Sequence, residues 1–141
     1  MKKPDSAYKA IMLVDDSVID NFINSKMIEG CNFATHIYIH TGAQSALEFL
    51  KNLENLGAQS LELVPEIIFL DLNMPTVDGI QFVEEYGKLD SGIKKKTKIV
   101  MLTTSENFED IERAKQTGLI YKYVNKPLSQ ATLQLLKEQR S

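Results

Sequence analysis

The sequence predicts a single α/β domain built on a five-stranded parallel sheet with helices on both faces. Short apolar or alternating segments recur along the 141-residue chain, and each is followed by a segment whose apolar residues have helical spacing. Several of the apolar runs also end abruptly at a charged or hydroxyl side chain. Strands that alternate with helices are typical of parallel sheets joined by right-handed crossovers.

The predicted strands are Ala10–Val14, Thr35–Thr41, Ile67–Leu70, Ile99–Leu102 and Ile120–Val124. The third of these is apolar at every position, which indicates a strand buried on both faces of the sheet. Pro65 prevents the preceding helix from continuing into it. This third strand is therefore expected at the centre of the sheet.

The predicted helices are Ser17–Gly30, Gly42–Leu56, Ile80–Leu89, Asn107–Lys115 and Leu128–Glu138. Ser17 is the expected N-cap of the first helix, with Asp20 completing a loose capping box and Gly30 as the C-cap. The apolar residues of this helix recur at helical spacing: Ile19, Phe22, Ile23 and Met27. A basic cluster between the third and fourth helices is expected to be a solvated loop: Lys94, Lys95, Lys96 and Lys98.

Length and composition indicate one cytoplasmic domain over residues 1–141, with a core over about 8–139. The chain is 43% hydrophobic and 25% charged, and its net charge of -3 gives no general attraction to nucleic acid or anionic lipid. It contains neither a signal peptide nor an apolar run long enough to span a membrane. Cys31 is the only cysteine, so an intrachain disulfide is impossible. His36 and His40 have no third ligand near them in sequence and are expected to be structural or exposed.

Four of the predicted strands end in a chemically active side chain at the same edge of the sheet. The first is followed by Asp15 and Asp16, the third by Asp71, the fourth by Thr103 and the fifth by Lys126. Converging carboxylates repel one another unless a cation compensates them, and Mg²⁺ prefers oxygen ligands. A lysine and a hydroxyl beside such a metal site suit phosphoryl transfer to or from an aspartate.

Each residue also has a purely structural interpretation. Asp71 taken alone could open a polar loop, and Asp15 and Asp16 could be acids favoured by the helix dipole. Thr103 and Tyr123 could simply pack in the sheet, since such residues are common in strands. The combination of all the strand ends favours the functional interpretation.

The chain resembles the receiver domain of two-component response regulators. The motifs that carry the resemblance are L-V-D-D at 13–16, F-L-D-L-N-M-P at 69–75, D-G at 78–79, L-T at 102–103 and K-P at 126–127. Each motif is weak alone, but together and in this order they are specific, and they span nearly the whole chain. The resemblance implies a flavodoxin-like, doubly wound sheet of order 2-1-3-4-5 with five helices.

The resemblance also implies a role for each matching residue. Asp71 matches the phosphoacceptor, and Asp16 and Asp15 match a direct and a water-mediated ligand of Mg²⁺, for which Mn²⁺ could substitute. Asp71 itself and the backbone carbonyl of Asn73 complete the ligand set. Thr103 and Lys126 match the phosphoryl-binding pair, with Thr103 and Tyr123 as the switch residues, and the Lys126–Pro127 bond is expected to be cis.

Some positions depart from the family pattern. The segment from Gly118 to Lys126 is one residue longer than usual, which leaves the register of Tyr121 and Tyr123 open. Thr104 replaces a smaller residue. The chain also stops after its fifth predicted helix, so we expect no output domain. Asn73 and Ser105 occupy the positions that flank the hydrolytic water, and serine is too short to orient it well. We therefore expect slower self-dephosphorylation than in the fast chemotaxis regulators.

The resemblance implies a phosphoryl donor, either a histidine kinase or a histidine phosphotransfer protein, and a downstream protein partner in trans. The output would be a changed face formed by the fourth predicted helix, the fifth strand and the last helix, in a monomer or a weak phosphorylation-dependent dimer. One alternative is a haloacid dehalogenase-type phosphatase, which would need an acid at the position of Asn73. The other is a degenerate receiver that acts as a scaffold, which the intact acidic set disfavours.

Overall fold

The computed structural model describes residues 6–57, 62–72, 79–89, 91–103 and 108–139, with only the backbone described at positions 91 and 110. Within these ranges, the chain forms one five-stranded sheet. Its strands are β1 (Tyr8–Val14), β2 (Ala34–His40), β3 (Ile67–Asp71), β4 (Lys98–Thr103) and β5 (Ile120–Asn125). All neighbouring strands are parallel, and their order is β2-β1-β3-β4-β5. The predicted order is confirmed, with β3 at the centre.

The helices are α1 (Val18–Gly30), α2 (Ala43–Leu56), α3 (Gly79–Tyr86), α4 (Ser91–Lys96), α5 (Phe108–Gln116) and α6 (Gln130–Glu138). α4 is a short addition to the predicted set. It contains Lys94–Lys96, and Lys98 begins β4, so the prediction of a loop for these four lysines is wrong. Ile93 is buried at 3% exposure, and Lys94 Nζ donates a hydrogen bond of 2.8 Å to the Gly87 carbonyl. These two contacts fix the segment against the body of the domain. Among the described helices, none has the length and apolar character needed to cross a membrane.

Two apolar cores lie on opposite faces of the sheet, and the alternation along each strand assigns its side chains between them. Met12 and Val14 of β1 pack in the core beneath α2 and α3, whereas Ile11 and Leu13 pack in the core beneath α1 and α6. All residues of β3 are buried. Because β3 is covered on both faces, its sequence is continuously apolar rather than alternating.

Helix α1 is inverted relative to an ordinary amphipathic helix, since its buried face is mainly polar. The buried residues are Asn21, Asn24, Ser25 and Ile28. The exposed fractions are 71% for Val18, 70% for Ile19, 60% for Phe22 and 46% for Ile23. The helical spacing of the apolar residues therefore marks the solvent-facing side of α1.

Hydrogen bonds compensate most of the inward polar groups of α1, although Asn21 Oδ1 is buried without a hydrogen-bond partner among the described residues. The Nδ2 group of Asn21 donates to the Asp15 carbonyl at 2.9 Å, and Asn24 Oδ1 accepts from the Leu128 amide at 3.1 Å. The Ser25 hydroxyl donates to the Phe22 carbonyl. Satisfied buried polar groups fix geometry, and these bonds tie α1 to the segments that follow β1 and β5.

The ends of α1 agree in part with the prediction. Ser17 is the N-cap, and its side chain accepts a hydrogen bond from the Asp20 amide. Gly30 is the last helical residue rather than the C-cap, and Cys31 is the C-cap. The left-handed backbone conformation falls on Asn32, with a φ of 49°. Asparagine tolerates this conformation better than most residues, so glycine is not required there.

A β-bulge in β5 accommodates the extra residue between Gly118 and Lys126. Ile99 pairs with Ile120, but Val100 pairs with Lys122, so Tyr121 has no partner position on β4. The exposed Tyr121 ring lies 4.5 Å from Lys98 Nζ, measured to the ring centroid. An inserted residue that bulges leaves the rest of the strand in register. Tyr123 consequently pairs with Met101 and shares the sheet face of Thr103.

Candidate functional site

The carboxyl ends of β1, β3, β4 and β5 place four of the predicted site residues at one edge of the sheet. Asp15 follows β1, Asp71 ends β3, Thr103 ends β4, and Lys126 follows β5. Asp15 is 2% exposed, Asp71 3% and Thr103 3%. Buried carboxylates at a sheet edge are costly without a cation, so the charges around them determine the chemistry of the site.

Lys126 is the cation that compensates these carboxylates. Its Nζ lies 2.8 Å from Asp15 Oδ2, 3.1 Å from Asp20 Oδ2 and 3.4 Å from Asp71 Oδ1. Burial alone lowers the pKa of Lys126, but the carboxylates of Asp15, Asp20 and Asp71 outweigh it and raise the pKa above its ordinary value. Lys126 therefore carries its positive charge throughout the physiological pH range.

Backbone contacts fix the position of Asp15. Its Oδ1 accepts a 2.9 Å hydrogen bond from the Ser17 amide, and its carbonyl accepts from Asn21. Asp16, the next residue, is exposed at the rim of the site. The chain therefore turns at Asp15 so that one acid faces inward to Lys126 and the other faces solvent.

The acidic residues present a donor set that fits Mg²⁺. One carboxylate oxygen from each of Asp15, Asp16 and Asp71 lies within 4.8 Å of the other two. Oxygens bound to one octahedral Mg²⁺ with bonds of 2.0–2.1 Å are about 3–4 Å apart, so a small contraction brings the set into range. Asp16 is exposed to solvent, so an ion bound there can keep some of its coordinated water, as Mg²⁺ usually does in proteins.

Gly79 is needed where the start of α3 approaches the end of β3. A Cβ atom at this position would lie 3.0 Å from the Asp71 carbonyl oxygen and 3.1 Å from Leu72 Cα. Both are backbone atoms, so they could not move aside without displacing the Asp71 backbone. The glycine of the D-G motif thus has a packing role directly behind the predicted acceptor.

Tyr123 lies near the site but outside the acidic cluster. Its side chain packs partly against the core that contains Met101, and Lys115 Nζ lies 5.8 Å from its ring centroid. Burial and the nearby Glu112 carboxylate raise the pKa of Tyr123 above its ordinary value, so the phenol stays neutral. The Lys126–Pro127 bond is cis, as predicted.

Three further residues of this region were not predicted as site residues: Asp20, Asn21 and Asn24. Asp20 had a capping role only, yet its carboxylate contacts Lys126. The sequence feature that could have identified Asp20 as a site residue is its place in the first turn of the helix that follows Asp16, close to the acidic strand ends. The buried asparagines gave no comparable signal, because amphipathic spacing alone does not reveal which face of a helix is inward.

Other predicted residues lie elsewhere or outside the described ranges. Asn73, Thr104 and Ser105 belong to the undescribed positions. His36 is exposed, while His40 contacts Ser45 Oγ through Nδ1 at 2.8 Å. Neither histidine belongs to the acidic cluster among the described residues.

The family assignment agrees with this geometry. Residues 11–137 match the model of the response regulator receiver domain. The chain therefore belongs to the receiver-domain family and is a receiver domain of two-component signalling.

Individual relatives support the same assignment. The chain is 30% identical over 103 residues to the response regulator Rcp1 of Synechocystis, covering 73% of this chain and 67% of that protein. A two-component response regulator from Cytophaga hutchinsonii has a similar structure, with 26% identity, a TM-score of 0.79 and coverage of 94% and 96% of the two chains. A response regulator receiver protein from Dyadobacter fermentans has 29% identity, a TM-score of 0.76 and coverage of 93% and 94%.

The ion pairs of Lys126 predict a large stability effect. Lys126→Met should destabilise the metal-free protein by about 3 kcal/mol, because it leaves buried Asp15 and Asp71 without their cation. Urea unfolding with and without Mg²⁺ measures this effect, and saturating Mg²⁺ should reduce the difference from wild type.

Lys122→Met is the matched control, since Lys122 lies on β5 and its Nζ contacts Gln139 rather than an acid. The control should change the free energy of unfolding by less than about 1 kcal/mol. Equal effects of the two variants would contradict the role assigned to Lys126.

Proposed function

We propose that Asp71 accepts a phosphoryl group from a phosphorylated histidine of a kinase or phosphotransfer protein. The observation that carries this proposal is the burial of Asp71 at the end of β3, beside Lys126 and the carboxylates of Asp15 and Asp16. A carboxylate oxygen of Asp71 attacks phosphorus, the phosphorus–nitrogen bond breaks, and its electron pair returns to the imidazole. The product is an acyl phosphate on Asp71.

We infer that Asp15, Asp16 and Asp71 hold Mg²⁺ during this transfer, with the carbonyl of Asn73 completing the protein ligands. The bound ion supplies positive charge that neutralises the phosphoryl oxygens. Lys126 moves from its carboxylate partners to a phosphoryl oxygen, and the Thr103 hydroxyl donates to another. Little covalent chemistry is left to the protein, so these groups act by position and charge.

Signal output is proposed to follow from the move of Thr103. Tyr123 shares the face of Thr103 and is only partly buried, so it can turn inward when Thr103 is drawn to the phosphoryl group. The surface formed by α5, β5 and α6 would then change and engage a downstream protein. Such a switch shifts a population that exists before phosphorylation. Asn73, Thr104 and Ser105 would set the lifetime of the phosphorylated state.

The acceptor is tested with a small phosphodonor. Incubation of the wild type with acetyl phosphate and Mg²⁺ should add one phosphoryl group per chain, measured by intact mass, and the group should be labile to base. Asp71→Asn should remain unmodified, because the amide cannot form an acyl phosphate. Glu29→Gln is a control with the same loss of charge on the surface of α1. Full modification of Asp71→Asn would exclude Asp71 as the acceptor.

The inverted helix α1 provides a docking surface for the proposed protein donor. Its exposed apolar face consists of Val18, Ile19, Phe22 and Ile23, beginning one residue beyond Ser17. The reacting histidine must come within about 3 Å of Asp71, so its protein covers the adjacent start of α1. Large exposed apolar residues beside a reaction site fit a partner with an apolar surface around its histidine.

Docking and chemistry can be separated experimentally. In Ile19→Ser/Phe22→Ser, transfer from the phosphorylated donor protein should slow about tenfold, equivalent to about 1.4 kcal/mol of lost contact energy. Labelling by acetyl phosphate should stay within about twofold of wild type, since the acidic site is unchanged. Leu56→Ser, an exposed apolar position at the end of α2, is the control. Equal loss with both donors would instead indicate damage to the site.

A further inference from the structure

Asp20 is not one of the carboxylates of the candidate metal site, yet it contacts Lys126. Asp20 lies in the first turn of α1, and its carboxylate is one of three among the described residues that contact the Lys126 ammonium. The distance to Asp20 Oδ2, 3.1 Å, is shorter than the 3.4 Å distance to Asp71 Oδ1. In the unphosphorylated protein, Lys126 is therefore held toward the rim as well as toward the acceptor.

We propose that Asp20 is a positioning residue that competes with the phosphoryl group on Asp71 for Lys126. The inference rests on the proposed function, since it takes Asp71 as the acceptor. When the phosphoryl group forms, Lys126 must give up its contact with Asp20 to approach a phosphoryl oxygen. Loss of that ion pair opposes the phosphorylated state, so Asp20 limits how strongly the site holds its product.

Two features favour competition over simple support of the helix. The Asp20 backbone amide already bonds to the Ser17 side chain, so the capping function does not need the carboxylate. The Asp20 side chain is 41% exposed, whereas that of Lys126 is 20% exposed. The pair is consequently screened by solvent and can be exchanged at modest cost.

Beryllofluoride, which binds an aspartate as a phosphoryl stand-in, allows the competition to be measured without turnover. Calorimetric titration at saturating Mg²⁺ should show tighter binding to Asp20→Asn than to wild type, by about two- to fivefold, the range expected for a partly exposed ion pair. Glu29→Gln removes the same charge elsewhere on α1 and should bind as wild type does.

A double-mutant cycle tests whether the effect passes through Lys126. In a Lys126→Met background, Asp20→Asn should change the logarithm of the beryllofluoride dissociation constant by less than about half of its change in the wild-type background. The ¹⁵Nζ resonance of Lys126 provides a second readout, and Asp20→Asn should shift it in the metal-free protein. A purely structural role of Asp20 would leave the coupling to Lys126 at zero.

The outcomes separate this inference from the proposed function. Tighter binding that depends on Lys126 supports the competition. Unchanged or weaker binding to Asp20→Asn overturns it while leaving Asp71 as the acceptor. A wild-type protein that binds no beryllofluoride overturns both the acceptor assignment and the inference.

Discussion

The charge balance between Lys126 and the buried carboxylates is the constraint on which the rest of the site depends. Asp15 and Asp71 are nearly inaccessible to solvent, and a lysine that follows β5 contacts both. Breaking such a buried pair leaves an uncompensated charge, which is among the costliest local changes in a protein. The lysine thus stabilises the metal-free site, and the same charge is suited to a phosphoryl oxygen.

The inverted polarity of α1 follows from this site. An apolar inward face would leave the Asp15 carbonyl and the Leu128 amide without the partners that Asn21 and Asn24 provide. The same helix supplies Asp20 to Lys126. The polar residues of α1 point inward, and its large apolar residues lie on the solvent-facing side, beside the acidic site. One helix thereby serves both the geometry of the site and the proposed docking of the donor.

Much of the fold could be predicted because local patterns and global packing agree. The continuous apolar run of β3 marks the central strand, and Leu133 and Leu136 mark the buried face of α6 as their spacing indicates. Strand order was accessible only through the resemblance, because periodicity does not identify neighbouring strands. α4 was missed because three consecutive lysines indicate solvent exposure, whereas buried Ile93 fixes the segment.

In the site, too, some features could be predicted from the sequence and others could not. Asp15, Asp16, Asp71, Thr103 and Lys126 end strands, and parallel topology brings strand ends together, so their convergence was predictable. The part played by Asp20 was not, because it depends on the rotation of α1 about its axis. The sequence likewise did not determine the register of Tyr123. In the structure, the bulge at Tyr121 aligns Tyr123 with Met101. The sequence patterns located the helices and strands but did not determine which way individual side chains point.

A crystal structure of the protein with Mg²⁺ and beryllofluoride would test directly whether Lys126 leaves its carboxylate partners for the phosphoryl group on Asp71. Beryllium should be bonded to an Asp71 carboxylate oxygen, and Mg²⁺ should lie on the carboxylates at the ends of β1 and β3. Lys126 Nζ and Thr103 Oγ1 should each lie about 3 Å from a fluoride. Beryllium on another residue would contradict Asp71 as the acceptor. Lys126 still paired with Asp15 and Asp20 and remote from the fluorides would contradict its proposed move to the phosphoryl group.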